Sequence, residues 1–429
     1  MNTIYFNIIL TVIYFKKIDS KLLRSYILLN LILIKTYMTI KRILLISSIF
    51  FLSCSREYIK PLNVKRNFSG SLWIVRHEIA TPQKIDRLIS SVKNTDIRNL
   101  FVQVRGRGDA YYDSAYEPKP VDVPPDFDPL DYIIKKGKKS GIKIHAWINV
   151  SFVLNPENYP AISDHILSKH PDWVTYDYKG RPMTDYTSRE LRKNILEGYF
   201  LDPAVPGVRI YTAGIVRDIV SKYKIDGIHL DFIRYPYSGY NRYYKKYLSD
   251  FGYNPYARRE FKKKYGVDPV KINRFGNSRY KKLFDSYRRD KITDIVRLIN
   301  KTVKEKDNSV LVSAAVMPRY DLGRDVYFQD WPYWLDNGLI DIACVMSYTG
   351  KKSIYKNYLS YSLKTDMPEK IYMGVMVKGK TTVKQAHEQI RLSYEDGFRG
   401  YIIFSFKHKK RYLQKIDQYI QYDENIMTN

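Results

Sequence analysis

Residues 225–236 read I-D-G-I-H-L-D-F-I-R-Y-P. Asp226-Gly227 is a turn pair, after which Ile228, Leu230 and Phe232 alternate with His229 and Asp231 at the two-residue period of a strand. The apolar set is expected to pack outward against helices, which points His229 and Asp231 inward and puts Asp231 near the strand's C-terminal end. In a barrel of parallel strands that end carries the chemistry. Asp231 is therefore the first catalytic candidate, and a buried ion pair with Arg234 is the structural alternative.

Seven further runs look like strands: 72–78, 99–105, 143–150, 310–317, 340–348, 370–377 and 400–406. Most are separated by helix-length segments, including 82–92, 129–139 and 208–222, each with apolar residues at helical spacing. Strands alternating with helices imply right-handed crossovers and a parallel sheet, and eight such units imply a closed (β/α)8 barrel of the α/β class. The barrel is expected over 71–415, with a flexible tail at 416–429. Its one large departure is a Tyr-, Arg- and Lys-rich insertion after strand four, 236–290. Long excursions at this face commonly build the substrate cleft, so the insertion is expected to overhang it.

The chain has 429 residues, 45% of them apolar, and a formal charge of +28. That charge suits an anionic partner, but it is spread through a Lys-, Tyr- and Ile-rich sequence without a basic, aromatic-interleaved stripe, so nucleic acid is not the expected partner. Residues 1–37 read as a dispensable extension. Met38 to Cys54 has a basic start at Lys41-Arg42, a short apolar run and a small residue before Cys54, the layout of a secretory signal. Residues 55–70 follow as a polar linker. With only Cys54 and Cys344 present, no disulfide framework is implied.

Several strands bring polar or aromatic side chains to the predicted mouth. Strand three presents His145, Trp147 and Asn149 on one face, where an ordinary barrel interior would carry branched aliphatics. Strand one ends in Arg76-His77-Glu78, and strand two runs into Arg105-Gly-Arg-Gly-Asp109-Ala-Tyr111-Tyr112. Strand six ends in Met346-Ser-Tyr348, with Trp331 and Trp334 shortly before it, and Arg234-Tyr235 follows strand four. Rings beside carboxylates and arginines suit sugars, whose faces are apolar and whose rims are hydroxylated. The expected binding set is Arg76, Arg105, Tyr111, His145, Trp147, Asn149, His229, Arg234, Tyr235, Met346 and Tyr348. Glu78 and Asp109 are the candidates for a second carboxylate. The histidines have no ligand spacing, and neither a metal nor a cofactor is called for.

Taken together, Leu72-Trp-Ile-Val-Arg76, Gly108-Asp-Ala-Tyr-Tyr112, Phe127-Asp-Pro-Leu130, His145-Ala-Trp147, Leu201-Asp-Pro203, Asp226 to Pro236 and Val345-Met-Ser-Tyr348 resemble the glycosyl hydrolase-like family 10 proteins. The resemblance implies a bacterial, often lipid-anchored glycan hydrolase, with some relatives acting on peptidoglycan glycan strands. Cys54 would then be the lipidated residue of an envelope lipoprotein, although Phe51 and Leu52 depart from the usual pattern before it, and a monomer is expected. Chitinases are more distantly similar, but their Asp-x-x-Asp-x-Asp-x-Glu strand is matched here by Asp226, His229, Asp231 and Ile233, so the final glutamate is missing. The expected activity is glycoside hydrolysis with Asp231 as general acid. If the substrate carries an N-acetyl group, its carbonyl could replace the second carboxylate, with Tyr348 positioning it. The rival expectation is a glycan-binding lipoprotein without activity.

Overall fold

The computed structural model describes residues 25, 28–41, 62–64, 68–158, 164–236, 240–241, 246–247, 249–273, 278–377, 382–404, 415 and 420–422. Contacts divide the chain into two units, Met1–Lys60 and Pro61–Asn429. Within the first, residues 28–41 are helical. Most of the expected signal segment, with Cys54, and most of the linker and tail lie outside the described residues. Among those described, no helix is long and apolar enough to cross a membrane.

The second unit is a closed barrel of eight parallel strands. They are β1 (Ser69–Ile74), β2 (Ile97–Arg105), β3 (Lys143–Asn149), β4 (Gly227–Asp231), β5 (Leu311–Val316), β6 (Ile342–Val345), β7 (Ile371–Met376) and β8 (Gly400–Phe404). Each pairs with the next, and β8 pairs with β1 to close the ring. The helices include α1 (Pro82–Val92), α2 (Pro129–Lys139), α3 (Pro206–Lys222), α4 (Pro255–Tyr265), α5 (Arg279–Lys306), α6 (Lys352–Leu363) and α7 (Val383–Glu395), of which α4 belongs to the insertion after β4 and packs in a core of its own.

Local chemistry explains the helix starts. Thr81 accepts from the Lys84 N–H ahead of α1, and Asp128 accepts from the Asp131 N–H ahead of α2, each followed by proline at the first helical position. Helix α1 buries Ile85, Leu88, Ile89 and Val92, one stripe at helical spacing, against the outward strand residues. Ile228 and Leu230 of β4 belong to that same outer core. A second cluster fills the barrel axis, with Trp73, Phe101, Trp147, Cys344, Tyr372 and Ile402 at its centre.

The insertion differs from expectation at its C-terminal boundary. Helix α5 is one element of 28 residues beginning at Arg279, so the residues up to 290 are part of a barrel helix. Tyr253, Phe261, Phe284 and Tyr287 form a core of their own, and Arg288 pairs with Asp250 at 2.6 Å beneath it.

Candidate active site

The C-terminal mouth of the barrel holds a cleft of about 530 Å³. Asp231, the last residue of β4, opens into it beside Asn149, its register partner on β3. Beyond Asp231 the strand pattern breaks: Phe232 takes φ 49°, a left-handed conformation that a phenylalanine rarely adopts. Its N–H thereby reaches Asp231 Oδ1 at 2.7 Å, its carbonyl accepts from the Ser151 N–H at 3.2 Å, and its ring turns into the cleft against Phe152. Burial pushes the Asp231 carboxyl up to about 6, opposed by the Phe232 N–H and by Arg234, while the negative charge of Glu197 adds to the rise.

One wall is a polar chain. Arg76 Nη1 donates to Gln103 Oε1 at 3.1 Å, Gln103 Nε2 donates to Asn149 Oδ1 at 3.3 Å, and the Trp147 indole N–H donates to the same oxygen at 3.0 Å. Opposite stand aromatic surfaces: Tyr348 stacks on Phe404 with centroids 5.6 Å apart, and Trp73 meets Tyr348 edge-on at 6.0 Å. Arg234 lies among Phe200, Phe232 and Tyr327 and pairs with Glu197 at 2.6 Å. Hydrogen-bonding groups on one side and ring faces on the other fit a sugar.

Six of the eleven expected binding residues line this cleft: Arg76, Trp147, Asn149, Arg234, Met346 and Tyr348. His229 lies beneath its floor. The Trp73 indole donates to His229 Nε2 at 3.0 Å, so the ring proton is on Nδ1, facing Ser313 Oγ at 2.9 Å. Both nitrogens are occupied and burial holds the ring neutral, which makes His229 a support for Trp73. His145 is one layer lower, stacked on Phe101 at 4.5 Å with neither ring nitrogen hydrogen-bonded. A Cβ at Gly227 would collide with it, so glycine is required there.

The remaining three expected binding residues point elsewhere. The pairing of β2 with β3 shifts between Gln103 and Arg105, so Arg105 leaves the inward face. Its guanidinium is fully buried against Glu117, with Nε and Nη2 both donating to that carboxylate. Tyr111 donates to Asp122 at 2.8 Å, and Tyr235 donates to the buried Asp202 at 3.0 Å, tying the segment before α3 to the end of β4.

Neither expected second carboxylate lines the cleft. Asp109 accepts from the backbone of Gly106 and Arg107 and stands 3.9 Å from Arg76 Nε, behind the polar wall. Glu78 lies on a one-turn 3-10 helix, Arg76–Glu78, outside the cleft. Trp331 and Trp334 are fully buried in the outer core, and Ile233, at the position of the chitinase glutamate, is buried too. No described residue between 240 and 290 lines the cleft. The segment between β3 and α3 lines it instead, through Phe152, Asn155 and Glu197, which have no periodic pattern to announce them. Among the described residues, no group of His, Cys, Asp or Glu is arranged to hold a metal ion.

Residues 69–386 match the family described as glycosyl hydrolase-like 10. The chain belongs to that family. Curated relatives include glycosyl hydrolase YngK of Bacillus subtilis (strain 168), 26% identical over 230 residues, covering 52% of this chain and 37% of that protein. Glycosyl hydrolase DigH of Escherichia coli (strain K12) is 27% identical over 190 residues, covering 41% of this chain and 40% of that protein. The chain thus spans under half the length of these family relatives. Among solved structures, the PgaB (BpsB) glycoside hydrolase domain of Bordetella bronchiseptica superposes with a TM-score of 0.60 at 12% identity, covering 82% of this chain and 99% of that one. The catalytic domain of β-amylase from Paenibacillus polymyxa gives 0.56 at 15% identity, covering 83% and 98%. At such identities the likeness establishes the shared barrel fold, and the family's site is read from this chain's own cleft.

Proposed function

We propose that the protein is a glycoside hydrolase of the cell envelope, acting on a glycan such as peptidoglycan strands, with Asp231 as general acid. The observation that carries this reading is the position of Asp231: a carboxyl raised to about 6, at the C-terminal end of β4, inside a cleft with an amide-guanidinium wall and an aromatic wall. A carboxyl raised to about 6 stays protonated in weakly acidic solution and can deliver its proton to a glycosidic oxygen, and such an acid contributes ~10²- to 10⁴-fold in rate. Family membership, and relatives named as glycosyl hydrolases, support the same class.

The envelope placement rests on the basic start and short apolar run before Cys54. Mass spectrometry of the membrane fraction should find the mature chain beginning at a lipid-modified Cys54. An unmodified N-terminus upstream of Met38 would contradict it.

The activity is tested by incubating purified protein with glycan strands stripped of their peptides and measuring new reducing ends. Release of reducing ends is expected. Strands bound but left intact would favour a glycan-binding lipoprotein on the same cleft.

A further inference from the structure

Hydrolysis needs a second group to handle the attacking water. We propose that Glu197 is that group, the general base of an inverting reaction whose acid is Asp231; this rests on the hydrolase reading above. Among the described residues lining the cleft, the carboxylates are Asp231 and Glu197. Glu197 comes from the loop before α3, outside the barrel strands. It is nevertheless held firmly.

Three features fix it. Leu196 on one side is buried in the cluster of Phe152 and Phe200. Gly198 on the other side has φ 154°, and a Cβ there would run into the Leu154 carbonyl. Ile195, at φ 58°, adds a second left-handed residue to the same turn, and unfavourable backbone of this kind persists where the surroundings impose it. The carboxylate is then gripped by Arg234, which is 8% exposed, sandwiched between rings, and also donates to the Tyr235 carbonyl. The Glu197 side chain itself remains 42% exposed, open to the cleft and to water.

The two carboxyl groups face one space without touching. Arg234 pairs with Glu197 at 2.6 Å and forms no ion pair with Asp231, and no hydrogen bond joins the carboxyls. Both nevertheless line the same cleft. An inverting reaction needs room for a water between the two groups, which in such glycosidases stand roughly 6.5–9.5 Å apart. Asp231 gives its proton to the glycosidic oxygen, which leaves with the electron pair of the C1–O bond. The water oxygen bonds to C1 from the opposite face, and its proton passes to the Glu197 carboxylate. Glycoside and water become two hydroxyl products, and proton exchange with solvent restores both carboxyl groups.

The test uses full-length protein on the peptide-stripped strands, comparing wild type with Glu197→Gln and Glu197→Ala. Glu197→Gln keeps an acceptor for Arg234 but cannot take a proton, so kcat should fall ~10²- to 10⁴-fold with melting temperature nearly unchanged. Azide added to Glu197→Ala should restore turnover and yield a glycosyl azide. Proton NMR of the first wild-type product should show the inverted anomer. Retained configuration, or normal kcat in Glu197→Gln, overturns the proposal while leaving a hydrolase. A wild type that leaves the strands intact overturns the hydrolase reading itself, and the proposal falls with it.

Discussion

The backbone N–H of Phe232 donates to Asp231 Oδ1 over 2.7 Å, and it can do so because Phe232 is held at φ 49°. One unfavourable residue thus fixes the carboxyl and turns an aromatic ring toward the substrate. Such conformations cost on the order of 1–3 kcal/mol and persist where the fold supplies the energy elsewhere.

Phe232→Gly and Phe232→Val separate those two duties. Glycine accepts φ 49° without strain, so it should keep the Asp231 geometry and melt above the valine variant, while raising KM through loss of the ring that packs on Phe152. Valine resists that conformation and should be less stable than the glycine variant by roughly 1–2 kcal/mol, with kcat reduced as well. Thermal melts and steady-state kinetics on both variants check this.

The raised Asp231 carboxyl fixes two pH dependences. As a general acid it must be protonated, so kcat/KM should decline as pH rises above about 6. For stability the sign follows from proton counts: between about 4 and 6 the folded carboxyl holds more proton than the unfolded one, so unfolding free energy falls as pH rises through that window. Asp231→Asn should flatten that part of the stability profile, as denaturant titrations across pH 4–7 would show.

Glu117→Ala leaves Arg105 as an uncompensated buried charge. It should lower stability by roughly 3–5 kcal/mol, because removing one partner of a buried pair exposes the full desolvation cost of the other. The cleft groups keep their own hydrogen bonds, so KM in the folded protein at low temperature should change little. A large KM change at unaltered melting temperature would return Arg105 to the cleft.

All eight strands were legible as short apolar runs between helix-length segments, although β1 is Ser69–Ile74 rather than 72–78, because Arg76–Glu78 turns into a 3-10 helix at the mouth. Asp231 was readable because it ends such a run. Alternation misled at Arg105, where a single irregularity in pairing turned an expected cleft residue into half of a buried ion pair. His145 and His229 do face inward as the pattern implies, but too deep to meet a ligand, because depth along the axis depends on register between strands. Glu197 was unreadable for another reason. Its position depends on a left-handed turn, a required glycine and a distant arginine, none of which leaves a period in the sequence. Of the Tyr-rich insertion, the described rings Tyr253, Phe261, Phe284 and Tyr287 fill a core of their own, and no described residue of it lines the cleft.

Asp231→Asn, with rate and melting temperature recorded on one preparation, tests most directly whether Asp231 is the acid. The change removes the titratable proton and keeps the shape and the Phe232 hydrogen bond, so turnover should fall ~10²-fold or more with melting temperature near wild type or above it. Full activity in the variant would contradict the assignment of Asp231 as the acid, and a collapse in melting temperature with the rate per folded molecule unchanged would make it a structural residue.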